Sequence, residues 1–214
     1  MKRGLFTVEV NEKLAPGTFR MVLVGDTSAI TGPGQFVNIA LEGKFLRRPI
    51  SVCDYAEGSL TIVYKVVGKG TDQMSQMSAG TVLDILTGLG NGYDLDKSGD
   101  APLLIGGGAG VPPMFNLAKK LLAQGKKPSV ILGFNKAEEL FLKEEFEALG
   151  VTVTVATADG SLGVKGFVTD AMPAEGYTHI YTCGPEPMLK AIYDKSVTSG
   201  HTVHQRRTPK TGSL

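Results

Sequence analysis

The stretch Phe45-Leu46-Arg47-Arg48-Pro49-Ile50-Ser51-Val52 sets two adjacent arginines and a proline inside an apolar, strand-like run. Proline lacks a backbone N–H donor and fixes φ, so the segment is typical of an edge strand or a strand end. A guanidinium group can bond two oxygens of a pyrophosphate at once, and the hydroxyl of Ser51 follows Arg48 by three residues. Taken alone, the pattern also fits an exposed edge strand with solvated arginines.

Length and composition limit the classes of protein to which the chain can belong. Its 214 residues suffice for one or two domains, and 22 Lys plus Arg against 21 Asp plus Glu give no overall field for nucleic acid. Two cysteines exclude a disulfide framework and fit a reducing compartment. Neither a signal-peptide region nor a run of roughly 20 apolar residues occurs, so the sequence predicts a cytoplasmic protein without nucleic-acid or membrane partners.

Outward from the opening stretch, the first part of the chain has short apolar runs separated by glycine and proline turns, a pattern typical of strands. We predict an antiparallel β-barrel domain over residues 1–98, with one short helix at Asp72–Met77. The predicted strands are Phe6–Val10, Phe19–Val24, Phe36–Leu41, Arg48–Cys53, Leu60–Val67 and Val82–Leu86.

The second part alternates buried strands with helix-spaced segments, which predicts a parallel α/β sheet over residues 99–198. A glycine cluster, Gly106-Gly107-Gly108-Ala109-Gly110, follows the first strand and precedes Pro112. It allows a pyrophosphate to approach bare backbone, although it departs from the standard dinucleotide fingerprint. No carboxylate ends the second strand, where Phe134-Asn135-Lys136 stands. The predicted elements are strands 102–105, Val130–Phe134, Val151–Ala156 and His179–Thr182, and helices Met114–Gln124 and Lys136–Leu149.

A thiol stands near the end of the last predicted strand, in Tyr181-Thr182-Cys183-Gly184-Pro185-Glu186-Pro187-Met188. Parallel sheets bind ligands at the carboxyl ends of their strands, so Cys183 is a candidate for a functional group. A buried, inert cysteine is the alternative interpretation.

Together these motifs resemble the electron-transfer subunits of B-type dihydroorotate dehydrogenases, within the ferredoxin–NADP reductase superfamily. The resemblance extends over about residues 3–199 and implies an oxidoreductase subunit that binds FAD on the barrel. Ser51 is expected to act on the flavin ring. The implied FAD-binding residues are Arg48, Pro49, Ile50, Ser51, Val63, Tyr64, Lys65, Gly70 and Thr71.

The same resemblance implies an NAD(H) site in the second domain, with Cys183 at the nicotinamide. We expect NADH rather than NADPH, because only Lys136 could meet a 2′-phosphate near the second strand. A partner subunit with FMN that oxidises dihydroorotate, assembled as a heterotetramer, is also implied. The implied NAD-binding residues are Gly106, Gly107, Gly108, Gly110, Pro112, Asn135, Cys183, Gly184, Pro185, Glu186 and Met188.

One departure from this family concerns its 2Fe–2S cluster, which four cysteines of a C-terminal tail ligate. Residues 199–214 contain no cysteine, so we predict that this chain has no metal site and cannot bind the cluster. The segment is basic and lacks apolar periodicity, and we expect it to be disordered. A truncated or altered C-terminus is the favoured explanation.

Two alternatives stay open from the sequence. One is the related subunit of a flavin-based NADPH–ferredoxin oxidoreductase. The other is a non-catalytic interaction protein built on a reductase scaffold.

Overall fold

The computed structural model describes residues 1–198 and 202–207. They divide into a first unit of residues 1–92 and a second unit that begins at Tyr93. The division lies close to the predicted boundary after residue 98. Tyr93 belongs to the second unit because its ring packs against Tyr181, with centroids 5.5 Å apart, and its hydroxyl donates to the Thr182 carbonyl at 3.3 Å.

The first unit is a closed antiparallel barrel, as the sequence predicts. Its strands follow the order β1-β2-β5-β4-β3-β6 around the barrel, so the stretch around Arg48 lies between two neighbours rather than at an edge. The strands are β1 (Lys2–Ala15), β2 (Thr18–Val24), β3 (Phe36–Ile39), β4 (Arg48–Ala56), β5 (Ser59–Lys65) and β6 (Val82–Leu89).

Side chains along these strands alternate between the inside and the outside of the barrel, and the inward-facing ones fill its interior. On β4, Ile50 and Val52 belong to the buried core, whereas Pro49 and Ser51 point to the outer face. The short helix α1 (Lys69–Ser75) begins three residues earlier than predicted and adds the fully buried Met74 to the same core.

The second unit is a six-stranded parallel sheet in the order β10-β9-β8-β7-β11-β12, which confirms the predicted α/β class. Its helices are α2 (Pro112–Ala123), α3 (Lys143–Ala148) and α4 (Glu186–Thr198). Its strands are β7 (Leu103–Gly107), β8 (Ser129–Phe134), β9 (Thr152–Thr157), β10 (Val164–Lys165), β11 (Ile180–Gly184) and β12 (Val203–Arg207).

The predicted helix Lys136–Leu149 is wrong over its first half. A 3₁₀ turn occupies Ala137–Glu139, and α3 begins only at Lys143. Leu142 interrupts the helical path because it adopts a left-handed conformation with φ 63°. Its side chain is buried, so packing in the core offsets the cost of that backbone conformation.

The expectation of disorder after residue 198 is also wrong where the structure describes the chain. Val203–Arg207 forms β12, which pairs in parallel with β11, and Val203 packs against the core of the sheet. An edge strand is held by backbone hydrogen bonds that any sequence can make, so its polar side chains did not reveal it. Residues 199–201 and 208–214 lie outside the described part of the chain.

Candidate functional site

The two adjacent arginines of the opening stretch have different roles. Arg47 pairs its Nη2 with Asp84 Oδ1 at 3.0 Å and donates Nη1 to the carbonyls of Asp84 (3.0 Å) and Asn38 (3.3 Å). These bonds tie β3 to β6. Arg48 is 9% exposed, and among the described residues its only hydrogen-bond acceptor is the Leu46 carbonyl, at 2.5 Å from Nη1. A buried guanidinium with so few partners is suited to receive an anion.

The start of α1 lies beside Arg48. A Cβ placed on Gly70 would overlap the guanidinium, so only glycine lets the helix start approach this closely. Thr71 Oγ1 accepts the N–H groups of Val67 (2.9 Å) and Gly68 (3.3 Å) and donates to the Gly68 carbonyl. Its hydroxyl is therefore engaged in the local cap at the start of α1. The sequence-predicted Arg48, Gly70 and Thr71 therefore meet at one place.

The remaining predicted flavin contacts divide between the outer face and the interior of the barrel. Ser51, Pro49 and Lys65 reach the outer face. Tyr64 is 2% exposed, stacks on Phe19 with centroids 5.9 Å apart and donates its hydroxyl to Asn11 Oδ1 at 2.9 Å. Burial raises the pKa of Tyr64 to about 12. Its ring is thus a core element, and what it can offer a ligand is its backbone.

In the second unit, the glycine cluster and the cysteine turn meet because β7 and β11 are parallel neighbours, with Cys183 opposite Gly106. A Cβ on Gly110 would overlap the Cys183 carbonyl, and one on Gly107 would overlap the Met188 sulfur. Gly184 likewise leaves room for the Met188 methyl group. The two motifs therefore form one surface of bare backbone at the start of α2, where Pro112 occupies the first helical position.

Comparison with known proteins places this geometry in a family. Residues 104–194 match the family model of the oxidoreductase NAD-binding domain. An electron transfer subunit of dihydroorotate dehydrogenase B (NAD(+)) from Fusobacterium nucleatum is 43% identical over 94% of this chain and 83% of its own length. The corresponding subunit of Bacillus caldolyticus is 40% identical over 90% of this chain and 79% of its own. The chain belongs to the dihydroorotate dehydrogenase B electron-transfer family.

Solved structures agree with this family. An NADH-dependent reduced ferredoxin–NADP oxidoreductase superposes with a TM-score of 0.83 at 30% identity, covering 94% of this chain and 75% of its own. Phthalate dioxygenase reductase, at 21% identity and a TM-score of 0.78 over 98% of this chain and 69% of its own, shares the fold. This member of the dihydroorotate dehydrogenase B electron-transfer family is thus an NAD-binding oxidoreductase of the reductase fold.

In this family member, Cys183 lies at the end of β11, 2% exposed and outside any disulfide. Its carbonyl packs against Gly110, so its backbone as well as its thiol shapes the turn. The predicted Asn135 lies just beyond β8, where its Nδ2 donates to Glu139 Oε2 at 3.1 Å. The Asp159 N–H donates to the Asn135 carbonyl at 3.2 Å, a contact that sequence reasoning missed. The Asp-Gly-Ser turn after the third strand of the sheet was the available signal.

An iron–sulfur cluster does not fit the described residues of this family member. Cys53 and Cys183 are both buried, and they lie in different units. No three His, Cys, Asp or Glu side chains of residues 1–198 and 202–207 are grouped to hold a metal ion. Within the same residues, no helix combines the length and apolarity that crossing a membrane requires.

Proposed function

We propose that this chain transfers electrons between NAD(H) and a bound FAD on behalf of a partner subunit that oxidises dihydroorotate to orotate. The observation that carries the proposal is Arg48, a nearly buried guanidinium with one hydrogen-bond acceptor among the described residues, set against the start of α1. An anion beside this guanidinium would form charge-assisted hydrogen bonds with it, and a flavin pyrophosphate supplies such an anion. The names of the relatives support the same function.

On the barrel, we assign the pyrophosphate to Arg48 together with the backbone N–H groups of Gly70 and Thr71. The flavin ring would lie along β4, in contact with Pro49, Ile50 and Ser51. On β5 its neighbours would be Val63, Tyr64 and Lys65. When bound, FAD supplies the ability to accept a hydride and to release single electrons. Ser51 is the residue we assign to the reactive part of the ring, because its hydroxyl reaches the outer face while Ile50 and Val52 point inward.

On the sheet, we assign the NAD(H) pyrophosphate to the backbone of Gly106–Gly110 and the start of α2 at Pro112. Bare backbone at a helix start is a suitable partner for phosphate oxygens. Cys183, Gly184 and Pro185 would border the nicotinamide, with Glu186 and Met188 beyond them on α4. Asn135 would lie near the adenosine half, since β8 is the neighbour of β7.

We infer a cytoplasmic complex with a catalytic subunit that carries FMN, assembled as a heterotetramer. The relatives are named electron transfer subunits, and a subunit of that kind requires a partner that uses the electrons.

A second candidate function is that of the related subunit in an NADH-dependent reduced ferredoxin–NADP oxidoreductase. The superposition at 30% identity favours it. It would use the same FAD and nucleotide sites and differ in the electron-accepting partner.

The test is to purify the chain, identify any released flavin and measure dye reduction by NADH. We expect a yellow protein that releases FAD and reduces the dye. Adding the FMN-containing dihydroorotate dehydrogenase subunit and then ferredoxin with its partner, in separate assays, would distinguish the two candidates. A colourless protein that cannot be reconstituted with FAD would refute both.

A further inference from the structure

A fully exposed phenylalanine lies on the loop that leads into β4. Phe45 is 100% exposed and its neighbour Leu46 is 50% exposed, whereas the barrel aromatics Phe6 and Tyr64 are buried in the core. Single exposed apolar residues are common on protein surfaces. What distinguishes Phe45 is therefore its position next to the Arg48 site.

The loop that carries Phe45 is tied to this site at both ends. Arg48 Nη1 donates to the carbonyl of Leu46, the residue after Phe45, at 2.5 Å. At the other end Gln73 Nε2, on α1, donates to the Glu42 carbonyl at 3.3 Å. Because the start of α1 also lies beside Arg48, the loop and the helix border the same guanidinium.

Another exposed apolar side chain stands just before α1. Val67 is 56% exposed, and its N–H donates to Thr71 Oγ1 at 2.9 Å. This bond fixes the backbone that leads to Gly70, where the helix meets Arg48. Exposed apolar side chains thus come from two separate segments that both contact one guanidinium.

The order of residues along β4 indicates which part of FAD would lie near Phe45. In the proposed site the flavin ring contacts Ser51 and the pyrophosphate contacts Arg48, about 10 Å away along a strand that rises about 3.3 Å per residue. In FAD the pyrophosphate joins the flavin half to the adenosine half. The adenosine would therefore continue past Arg48, away from Ser51, and Phe45 precedes Arg48 by three residues on that side.

We propose that Phe45 stacks on the adenine of FAD, with Leu46 and Val67 as apolar borders, and so makes this chain select FAD over FMN. The proposal rests on the proposed FAD site and adds a residue that recognises the part of FAD that FMN lacks. A purine has flat faces that an aromatic ring can cover. FMN carries the flavin and one phosphate without adenosine, so its affinity would not depend on Phe45.

The test measures equilibrium binding of FAD and of FMN to the apoprotein of the wild type, of Phe45→Ala and of Leu5→Ala. Leu5 is 70% exposed on β1 and is the matched control for the loss of an exposed apolar side chain. We expect FAD affinity to fall by at least about fivefold in Phe45→Ala, the scale of one base–aromatic contact, and FMN affinity to change by less than about twofold. Leu5→Ala should leave both affinities within about twofold of the wild type, and thermal melts verify that all three proteins are folded.

Two further measurements separate stacking on adenine from a general effect of position 45. Phe45→Tyr keeps an aromatic ring and should keep FAD affinity within about twofold of the wild type. ADP carries the adenosine and two phosphates without the flavin. It should compete with FAD at least about fivefold better for the wild type than for Phe45→Ala.

An unchanged FAD affinity in a folded Phe45→Ala would overturn the proposal, since the exposed ring would then serve a different contact. An equal loss of FMN affinity, or a Phe45→Tyr that binds FAD as weakly as Phe45→Ala, would overturn it as well. Wild-type protein that binds neither FAD nor FMN would refute the proposed function instead, so the two failures are distinct.

Discussion

The two candidate phosphate sites of this molecule are built on opposite principles. The barrel presents one charged side chain, Arg48, that is almost removed from solvent. The sheet presents glycine backbone that carries no side chains. A Cβ on Gly106, Gly107 or Gly110 would overlap a neighbouring atom. A site of the first kind is lost when a side chain is deleted, and a site of the second kind when one is added. The comparison teaches that removing a side chain should weaken the site on the barrel, whereas adding one should weaken the site on the sheet.

The largest effect is expected from Gly110→Ala. The added methyl would overlap the backbone of Cys183 and Gly184, which cannot move aside as a flexible side chain can. We expect a loss of about 3 kcal/mol in the free energy of unfolding of the sheet unit and at least tenfold weaker NAD(H) binding. Chemical unfolding and nucleotide titration measure the two quantities.

Gly32→Ala is the matched control, since a Cβ there would meet no atom within 4 Å. It should change stability by less than about 1 kcal/mol and leave nucleotide affinity unaltered. If Gly110→Ala kept the stability and the NAD(H) affinity of the wild type, the turn would not depend on the absence of a side chain at this position.

Arg48→Ala tests the side-chain site and should have the next largest effect. We expect FAD affinity to fall by about 1.5–3 kcal/mol, the scale of a charge-assisted hydrogen bond, measured by equilibrium titration of the apoprotein. Arg47→Ala is the control. It should lower stability by about 1–3 kcal/mol through the lost contacts to Asp84 and Asn38, with FAD affinity retained. The reverse pattern would mean that the wrong arginine has been assigned to the pyrophosphate.

Ser51→Ala should separate flavin binding from flavin chemistry. The Ser51 hydroxyl lies on the outer face of β4, away from the core, so its removal leaves packing intact. We expect flavin reduction by NADH, followed by stopped-flow absorbance, to slow by about three- to tenfold, while FAD affinity changes by less than about twofold. A fall in affinity as large as the fall in rate would place Ser51 among the binding groups only.

The smallest effect is expected from protonation of His179, which should lower the stability of the sheet unit. The pKa of His179 lies below its usual 6.5. Burial is the main cause, the charges of His204 and Lys97 lower the pKa further, and the charge of Asp94 acts in the opposite direction. The unfolded chain therefore binds the proton first, and the sheet should lose stability as pH falls below about 6.5. In the barrel, the pKa of Asp84 is lowered chiefly by the hydrogen bond from Arg3. The stability that this ionised carboxylate contributes is therefore lost only as the pH falls below 3.8, the usual pKa of the group.

Hydrogen exchange of β11 and β3 peptides from about pH 8 to about pH 5, corrected for the intrinsic rate, would detect this difference. Only β11 should lose protection. His179→Gln, which cannot take up the proton, should reduce the pH dependence. Equal loss of protection in both strands would contradict the assignment of the effect to His179.

Much of the fold was readable from local pattern. Alternating apolar residues between glycine turns predicted the barrel, and buried strands alternating with helix-spaced segments predicted the parallel sheet. These periodicities are properties of neighbouring residues, so one chain displays them without any tertiary contact. For the same reason β12 escaped prediction, because Val203–Arg207 is a strand only through the backbone of β11.

The sequence by itself determined which chemical groups are present: the paired arginines, the glycine cluster and the cysteine turn. The tertiary structure decided what each group does. It paired Arg47 with Asp84 and placed Arg48 beside Gly70. It also buried the Tyr64 ring in the core and brought Asp159 next to Asn135. These outcomes depend on which strands are neighbours and on which side of a strand a residue falls. Such contacts join residues distant in sequence, and a local pattern carries no information about them.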